Sequence, residues 1–288
     1  MRYQVLAHSV LFKRITLKCS LNGKKVAHQI KQLPYLSTYK DYKLLTRAFF
    51  KRFNIAILTL LLICPIVKAD NILELNYEGF TIWLDCDRRG AVMFRYNAQR
   101  DTGNHKRKKN FYIDPNVPSE CQQKSTASYK SNLGKYDRGH LVPANHLDFS
   151  ANAIKQSNYM VNILPQSANF NRGSYLRTEE IVECLRDYEE LLVIGGVIWG
   201  NDPNDDYFLQ SHGVATPDAF WKVIIRNDRV IAWIMPNSSE ATAKMLDKYL
   251  VSVTDIEKIS GVRIPVDDYL KYDVPSSSWL IPKGCNKG

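Results

Sequence analysis

Asp137-Arg138-Gly139-His140 is followed about thirty residues later by Asn169-Phe170-Asn171-Arg172-Gly173 and then by Glu179-Glu180. One short stretch therefore holds an imidazole, two guanidinium groups, carboxamides and carboxylates. Together they provide a base for water, cations for phosphate oxygens and oxygen ligands for a hard divalent ion. The chemistry they suit is metal-assisted cleavage of a phosphodiester.

His140 is the candidate general base, because a free imidazole titrates at about 6.5 and is neutral near physiological pH. Asn171 and Glu179 are eight residues apart, a little over two helical turns, so both project from one helix face. A carboxamide oxygen and a carboxylate, direct or through water, suit Mg²⁺ (or Mn²⁺), which keeps several of its waters. Glu180 lies about 100° further round the helix and is the weaker candidate. Arg138 and Arg107 offer planar, permanently charged forks for phosphate oxygens. Asn158 and Asn162 share a face of an extended segment and are candidates to orient the site by hydrogen bonds. His146 and His212 lack comparable neighbours.

The elements that position these groups are partly legible. Residues 79–84 and 91–96 alternate as strands around Gly90. Residues 101–110 are polar and basic, an exposed loop around His105-Lys106-Arg107-Lys108-Lys109. After the central motif, residues 141–146 read as a short strand or turn broken by Pro143, and 157–166 read as extended. Residues 172–192 switch to helical spacing, and Leu191–Trp199 is an apolar run of buried-strand length. Residues 220–226 and 229–235 flank Asn227-Asp228, a hairpin signal. One helix is expected from Ser238 or Ser239 to about Val253, and another from Asp255 to Gly261. The expected class is α+β: a central antiparallel sheet flanked by helices.

The net charge of +10 invites a nucleic-acid reading, but it is unevenly placed. Residues 1–69 carry 13 Lys/Arg against the single acid Asp41, a net of +12, which leaves 26 basic and 28 acidic residues over 70–288. Attraction to phosphate must then come from a local patch rather than from the field of the whole domain. Ile55–Val67 is an apolar run of 13 residues, preceded by Arg47, Lys51 and Arg52 and followed by Val67-Lys68-Ala69. That order is the one expected of a secretory signal cleaved near Ala69, too short for a span of about 20 residues. Residues 1–46 lie upstream of it, as expected if translation begins nearer Leu44. The expected organisation is a leader over 1–69 and one domain over 70–288, periplasmic or secreted, with no stable membrane partner once the leader is gone. Cys86, Cys121, Cys184 and Cys285 remain in the domain. They point to two disulfides with the pairing open among three connectivities, and no C-x-x-C or paired-His spacing suggests zinc.

Tyr136–His140, Asn158–Gln166 and Asn171-Arg172-Gly173 with Glu179 together resemble the DNA/RNA non-specific endonucleases, the ββα-metal (His-Me finger) nucleases that include endonuclease G. The resemblance implies that His140 activates water and that Asn171 is the one direct protein ligand of Mg²⁺. It also implies that Glu179 orders the waters around the ion, and that Arg138 and Arg107 contact the scissile phosphate. The seven-residue spacing from Arg107 to Asp114 selects Arg107, whereas the shorter spacing of other members selects Lys109. Glu183 stands where members commonly have arginine, leaving Arg186 as a substitute. The activity implied is hydrolysis of single- and double-stranded DNA and RNA to 5′-phosphates, with catalytic residues His140, Arg138, Glu179, Arg107 and Asn162 and metal ligand Asn171. Partners would be DNA and RNA, held by their phosphates, with a protein inhibitor as a further candidate. The rivals are a phosphodiesterase on small nucleotides and a catalytically inactive nucleic-acid-binding module.

Overall fold

A computed structural model describes residues 71–131 and 134–286. The leader, its apolar run and the expected cleavage site at Ala69 lie outside the described residues.

Among the described residues, eight strands form two antiparallel sheets. Six make one sheet in the order β1–β2–β3–β6–β7–β8: β1 (Ile72–Tyr77), β2 (Phe80–Asp85), β3 (Gly90–Ala98), β6 (Leu191–Trp199), β7 (Pro217–Arg226) and β8 (Arg229–Pro236). The Asn227-Asp228 turn closes the β7–β8 hairpin with Asn227 at φ 51°, a left-handed conformation that asparagine tolerates. β1 lies outside the strands expected from sequence, although its half-buried Leu73, Leu75 and Tyr77 alternate with exposed Glu74 and Asn76 at the sheet edge. One face of the sheet carries the larger core, including Phe80, Phe94, Phe220 and Trp233. The other face packs Trp221 and Val223 against Val253 and Ile256 of the helix α3 (Val253–Ser260).

Against the larger core lies the unit that carries the motif residues. β4 (Tyr136–His140) pairs with β5 (Ile163–Ser167), and the chain between them includes the helix α1 (Ala151–Ser157). β5 leads through a helical turn (Ala168–Phe170) and a wider π-helical turn (Asn171–Tyr175) into α2 (Leu176–Arg186). The result is a ββα arrangement inside an α+β fold, as expected. Two glycines are required by close approach. A Cβ on Gly139 would lie 2.2 Å from the Gln166 side chain, and one on Gly173 would lie 2.9 Å from the backbone of residues 241–243. No other residue fits without moving main chain or a fully buried glutamine.

Three sequence expectations change. The stretch 157–166 is not extended throughout: Asn158 ends α1, Met160–Asn162 is a 3₁₀ turn, and only Ile163–Ser167 is strand. The segment 141–146 leads from β4 into a 3₁₀ turn over Ala144–Leu147. No helix starts at Ser238 or Ser239. The carbonyl of Ser239 accepts from Asn169 Nδ2, and that of Ala241 accepts from the Ser174 amide and hydroxyl. Those acceptors are unavailable to a first helical turn, so only a 3₁₀ stretch forms over Ala243–Tyr249. The second helix appears as α3, with a Ser252–Asp255 capping box and Gly261 at φ 70° ending it.

The cysteines pair as Cys86–Cys121 and Cys184–Cys285. The first ties the β2–β3 turn to the loop before β4, and the second ties α2 to the C-terminal tail.

Candidate active site

His140 ends β4 and Asn171 opens the π-helical turn, so the ββα unit faces the two residues towards each other across a cavity of about 470 Å³. Arg107, Arg138, Asn145, Arg172, Leu176, Glu179 and Glu180 line the same cavity. Of the residues expected from sequence, His140, Arg138, Arg107, Asn171 and Glu179 are brought together.

Asn162 is not. It is fully buried, with Oδ1 accepting from the Val142 amide and Nδ2 donating to the carbonyls of Val142 and Ser157. Its side chain stitches the chain after β4 to the end of α1 and does not line the cavity. Asn158 is the residue that touches the His140 imidazole. Its Oδ1 accepts from His140 Nε2 at 2.8 Å while its Nδ2 donates to the Lys108 carbonyl at 3.0 Å. That second bond fixes which end of the amide faces the imidazole. Nε2 then carries the proton and Nδ1 is the basic nitrogen, an assignment made from the hydrogen-bond network. Arg107 approaches Nδ1 at 3.5 Å, and the Phe111 ring lies 5.6 Å from the imidazole.

His140 is only 7% exposed. Burial, then the charge of Arg107, lowers its pKa to about 4, with the Asn158 hydrogen bond opposing. The ring is therefore neutral, and able to accept a proton, at any pH well above that value. Arg138 donates to the Thr126 carbonyl at 2.6 Å and lies over the Phe111 ring at 4.0 Å. These contacts hold its guanidinium plane while other N–H groups remain for an anion.

Asp137 sets the orientation of Asn171, a role not seen in the sequence. Its carboxylate accepts Asn171 Nδ2 at 2.9 Å and a two-pronged bond from Arg172, at 2.8 and 2.7 Å. With Nδ2 committed, Oδ1 is the atom that Asn171 offers to a cation. Glu179 adds a carboxylate to the same wall. Burial raises its pKa towards about 7, while the charges of Lys222 and Arg107 act the other way. One carboxamide oxygen and one carboxylate fit Mg²⁺ or Mn²⁺ held largely through water, not a cage of protein ligands. Among the described residues no cluster of three His, Cys, Asp or Glu side chains is placed to hold an ion. Glu180 also reaches the cavity, despite the expected turn away from it, and is paired with Arg177 at 2.8 Å.

The remaining candidates are structural. His146 is buried between the Tyr96 hydroxyl (2.8 Å) and Glu183 (3.2 Å), and His212 is bonded to the Ala127 carbonyl. Arg186 does not substitute for a cavity arginine. It is 3% exposed and bound to Glu183 and the Asn145 carbonyl.

The family model for DNA/RNA non-specific endonucleases matches residues 65–272. The mitochondrial nuclease EXOG of Xenopus laevis is 29% identical over 168 residues, 53% of this chain and 46% of that protein. Nuclease C1 of Cunninghamella echinulata var. echinulata is 32% identical over 165 residues, 53% of this chain and 64% of its own. Human mitochondrial endonuclease G is 24% identical, over 64% of this chain and 67% of that one. The chain thus spans about half the length of the EXOG nucleases it matches. The EndoG/EndoGI complex, a crystal structure on the mechanism of EndoG inhibition, shares the fold. The TM-score is 0.55 at 19% identity, covering 68% of this chain and 86% of that one. With its ββα unit joined to a six-stranded sheet, this chain belongs to the DNA/RNA non-specific endonuclease family.

Proposed function

We propose that this protein is a divalent-metal-dependent endonuclease that hydrolyses DNA and RNA with little sequence preference. One observation carries the reading: a neutral, hydrogen-bonded imidazole and an oriented carboxamide oxygen face the same cavity, with two guanidinium groups beside them.

His140 Nδ1 takes the proton from an attacking water while Asn158 holds the ring through Nε2. Arg107 and Arg138, which line the same cavity, would offset the negative charge that the phosphate gains. Asn171 Oδ1 and, through water, Glu179 would hold Mg²⁺ or Mn²⁺. Bound there, the ion would offset charge on the phosphate and on the departing 3′-oxygen. The product would carry a 5′-phosphate. The cavity side chains address phosphate and sugar, not base edges, which favours weak sequence readout and strong salt sensitivity. We further propose export behind the 1–69 leader. An apolar run of signal length and the two disulfides support it, and mass spectrometry of the mature N-terminus tests it. A protein inhibitor remains a candidate partner, consistent with the inhibitor complex of the structural relative.

The test is nicking of supercoiled plasmid and of a structured RNA, with Mg²⁺ and with EDTA. Cleavage in Mg²⁺, its loss in EDTA and its loss in folded His140→Ala are expected. An undiminished rate in His140→Ala removes the mechanism. Binding without cleavage identifies an inactive module, and activity confined to small phosphodiesters identifies the other rival.

A further inference from the structure

Lys222 lies in the middle of β7 and is completely buried. Strand alternation puts it on the same face as Phe220 and Ile224, pointing into the larger core. An ammonium taken out of water costs several kcal/mol unless compensated. Here the direct contacts of Nζ are uncharged: it donates to Thr178 Oγ1 at 2.9 Å and lies 3.6 Å from the centroid of the Tyr175 ring. The latter is a cation–π contact in a dry setting, where such contacts are strongest.

Both partners lead to the cavity. Thr178 immediately precedes Glu179, and its hydroxyl donates to the Tyr175 carbonyl at 2.7 Å. The Tyr175 hydroxyl donates to the Leu141 carbonyl at 3.0 Å, one residue after His140. The Tyr175 ring is held in turn by Phe170 and Phe220. A single buried cation thus touches Tyr175, whose hydroxyl joins the Asn171–Glu179 segment to the strand end bearing His140, and Thr178, which braces Tyr175 from within that segment.

We propose that Lys222 is a positioning residue of this site: it clamps the Asn171–Glu179 segment, through Thr178 and Tyr175, against the end of β4 that carries His140. This rests on the function proposed above. Stability does not account for a lysine here, because an apolar side chain of similar volume in place of a buried charge is often neutral or stabilising.

Lys222→Met separates the two roles in the full-length chain. Melting temperature, kcat, KM for plasmid DNA and the half-saturating Mg²⁺ concentration are measured beside wild type. The expected result is an unchanged or higher melting temperature with kcat lower by about 10–100-fold, the range for partners that orient metal-site residues. Half-saturating Mg²⁺ rises at least about threefold. KM for DNA changes little, since Arg107 and Arg138 are untouched. Thr178→Val reproduces part of the kcat loss. If Lys222→Met does not fold, Lys222→Gln, which keeps a polar end in the same place, is read by the same measurements. Wild-type kcat and wild-type Mg²⁺ dependence in the folded variant overturn the proposal. So does a loss of kcat that merely follows the folded fraction. Absence of Mg²⁺-dependent cleavage in wild type would instead sink the functional reading itself.

Discussion

Asn158→Ala removes the side chain that orients the base and leaves the rest of the cavity in place. Two hydrogen bonds disappear: the one from His140 Nε2 at 2.8 Å and the one to the Lys108 carbonyl at 3.0 Å. The first is buried, and a buried donor left unsatisfied costs about 1–3 kcal/mol. The second ends on an exposed loop and contributes about 0.5–1.5 kcal/mol. The loss is then about 1.5–4.5 kcal/mol. At about 2–4 °C per kcal/mol for a domain of this size, the melting temperature should fall by roughly 3–18 °C, read by differential scanning fluorimetry. With the ring free to rotate and both tautomers available, kcat on supercoiled plasmid should fall about 10–100-fold. KM should rise as well, because Lys108 anchors the loop that presents Arg107. Asn158→Asp supplies an acceptor in the same place and a negative charge, so it should recover kcat partly and move the acid limb of the rate profile upward. An Asn158→Ala protein with wild-type melting temperature and kcat within about twofold of wild type would refute the assignment of Nδ1 as the basic nitrogen.

The depressed pKa of His140, about 4 against the ordinary 6.5, gives a second expectation: its imidazole should titrate near 4, not near 6.5, in an NMR titration of the metal-free protein. Because the folded pKa is the lower one, the associated stability is complete above about 6.5 and is lost as pH falls through about 4. It amounts to roughly 3 kcal/mol, and burial of His146 and His212 acts in the same direction. Glu179, raised towards about 7, contributes with the opposite sign over the same window, so the test is the His140 titration itself: an imidazole signal that titrates near 6.5 would contradict the assignment. Arg107→Gln should weaken phosphate binding and raise the acid limb together, since Arg107 both lines the cavity and depresses His140; a KM change with a fixed limb would separate the two roles. Asp137→Ala frees Asn171 and Arg172, and the half-saturating Mg²⁺ concentration in the cleavage assay should rise about tenfold or more with little effect on folding. Opening Cys184–Cys285, which spans 101 residues, should cost about 4–5 kcal/mol on the chain-entropy account. A Cys184→Ser/Cys285→Ser protein with an unaltered denaturation curve would exclude that contribution.

Some of the site was legible because it is local. Asp137-Arg138-Gly139-His140 brings an imidazole and a guanidinium together by sequence adjacency, whereas Asn171 and Glu179 meet in the cavity across a kink at Gly173 and not along the one regular helix expected. The β7–β8 hairpin was legible for the same reason, since Asn227-Asp228 can turn the chain with no help from elsewhere. Asn158 and Asn162 could not be told apart, because the choice depends on a 3₁₀ turn that aims one amide at the imidazole and the other at main chain. The expected helix after Ser238 failed because its first carbonyls are claimed by Asn169 and Ser174, about 70 residues earlier in the chain.

The chain by itself determined which chemical groups are available and the period at which they recur, since both are properties of neighbouring residues. Which cysteines pair, which asparagine holds the base, how Asp137 turns the Asn171 amide and what stands beneath α2 were decided only in the tertiary structure. Each is a contact between segments remote in sequence, where burial and hydrogen-bond geometry choose among alternatives that local preference leaves equal.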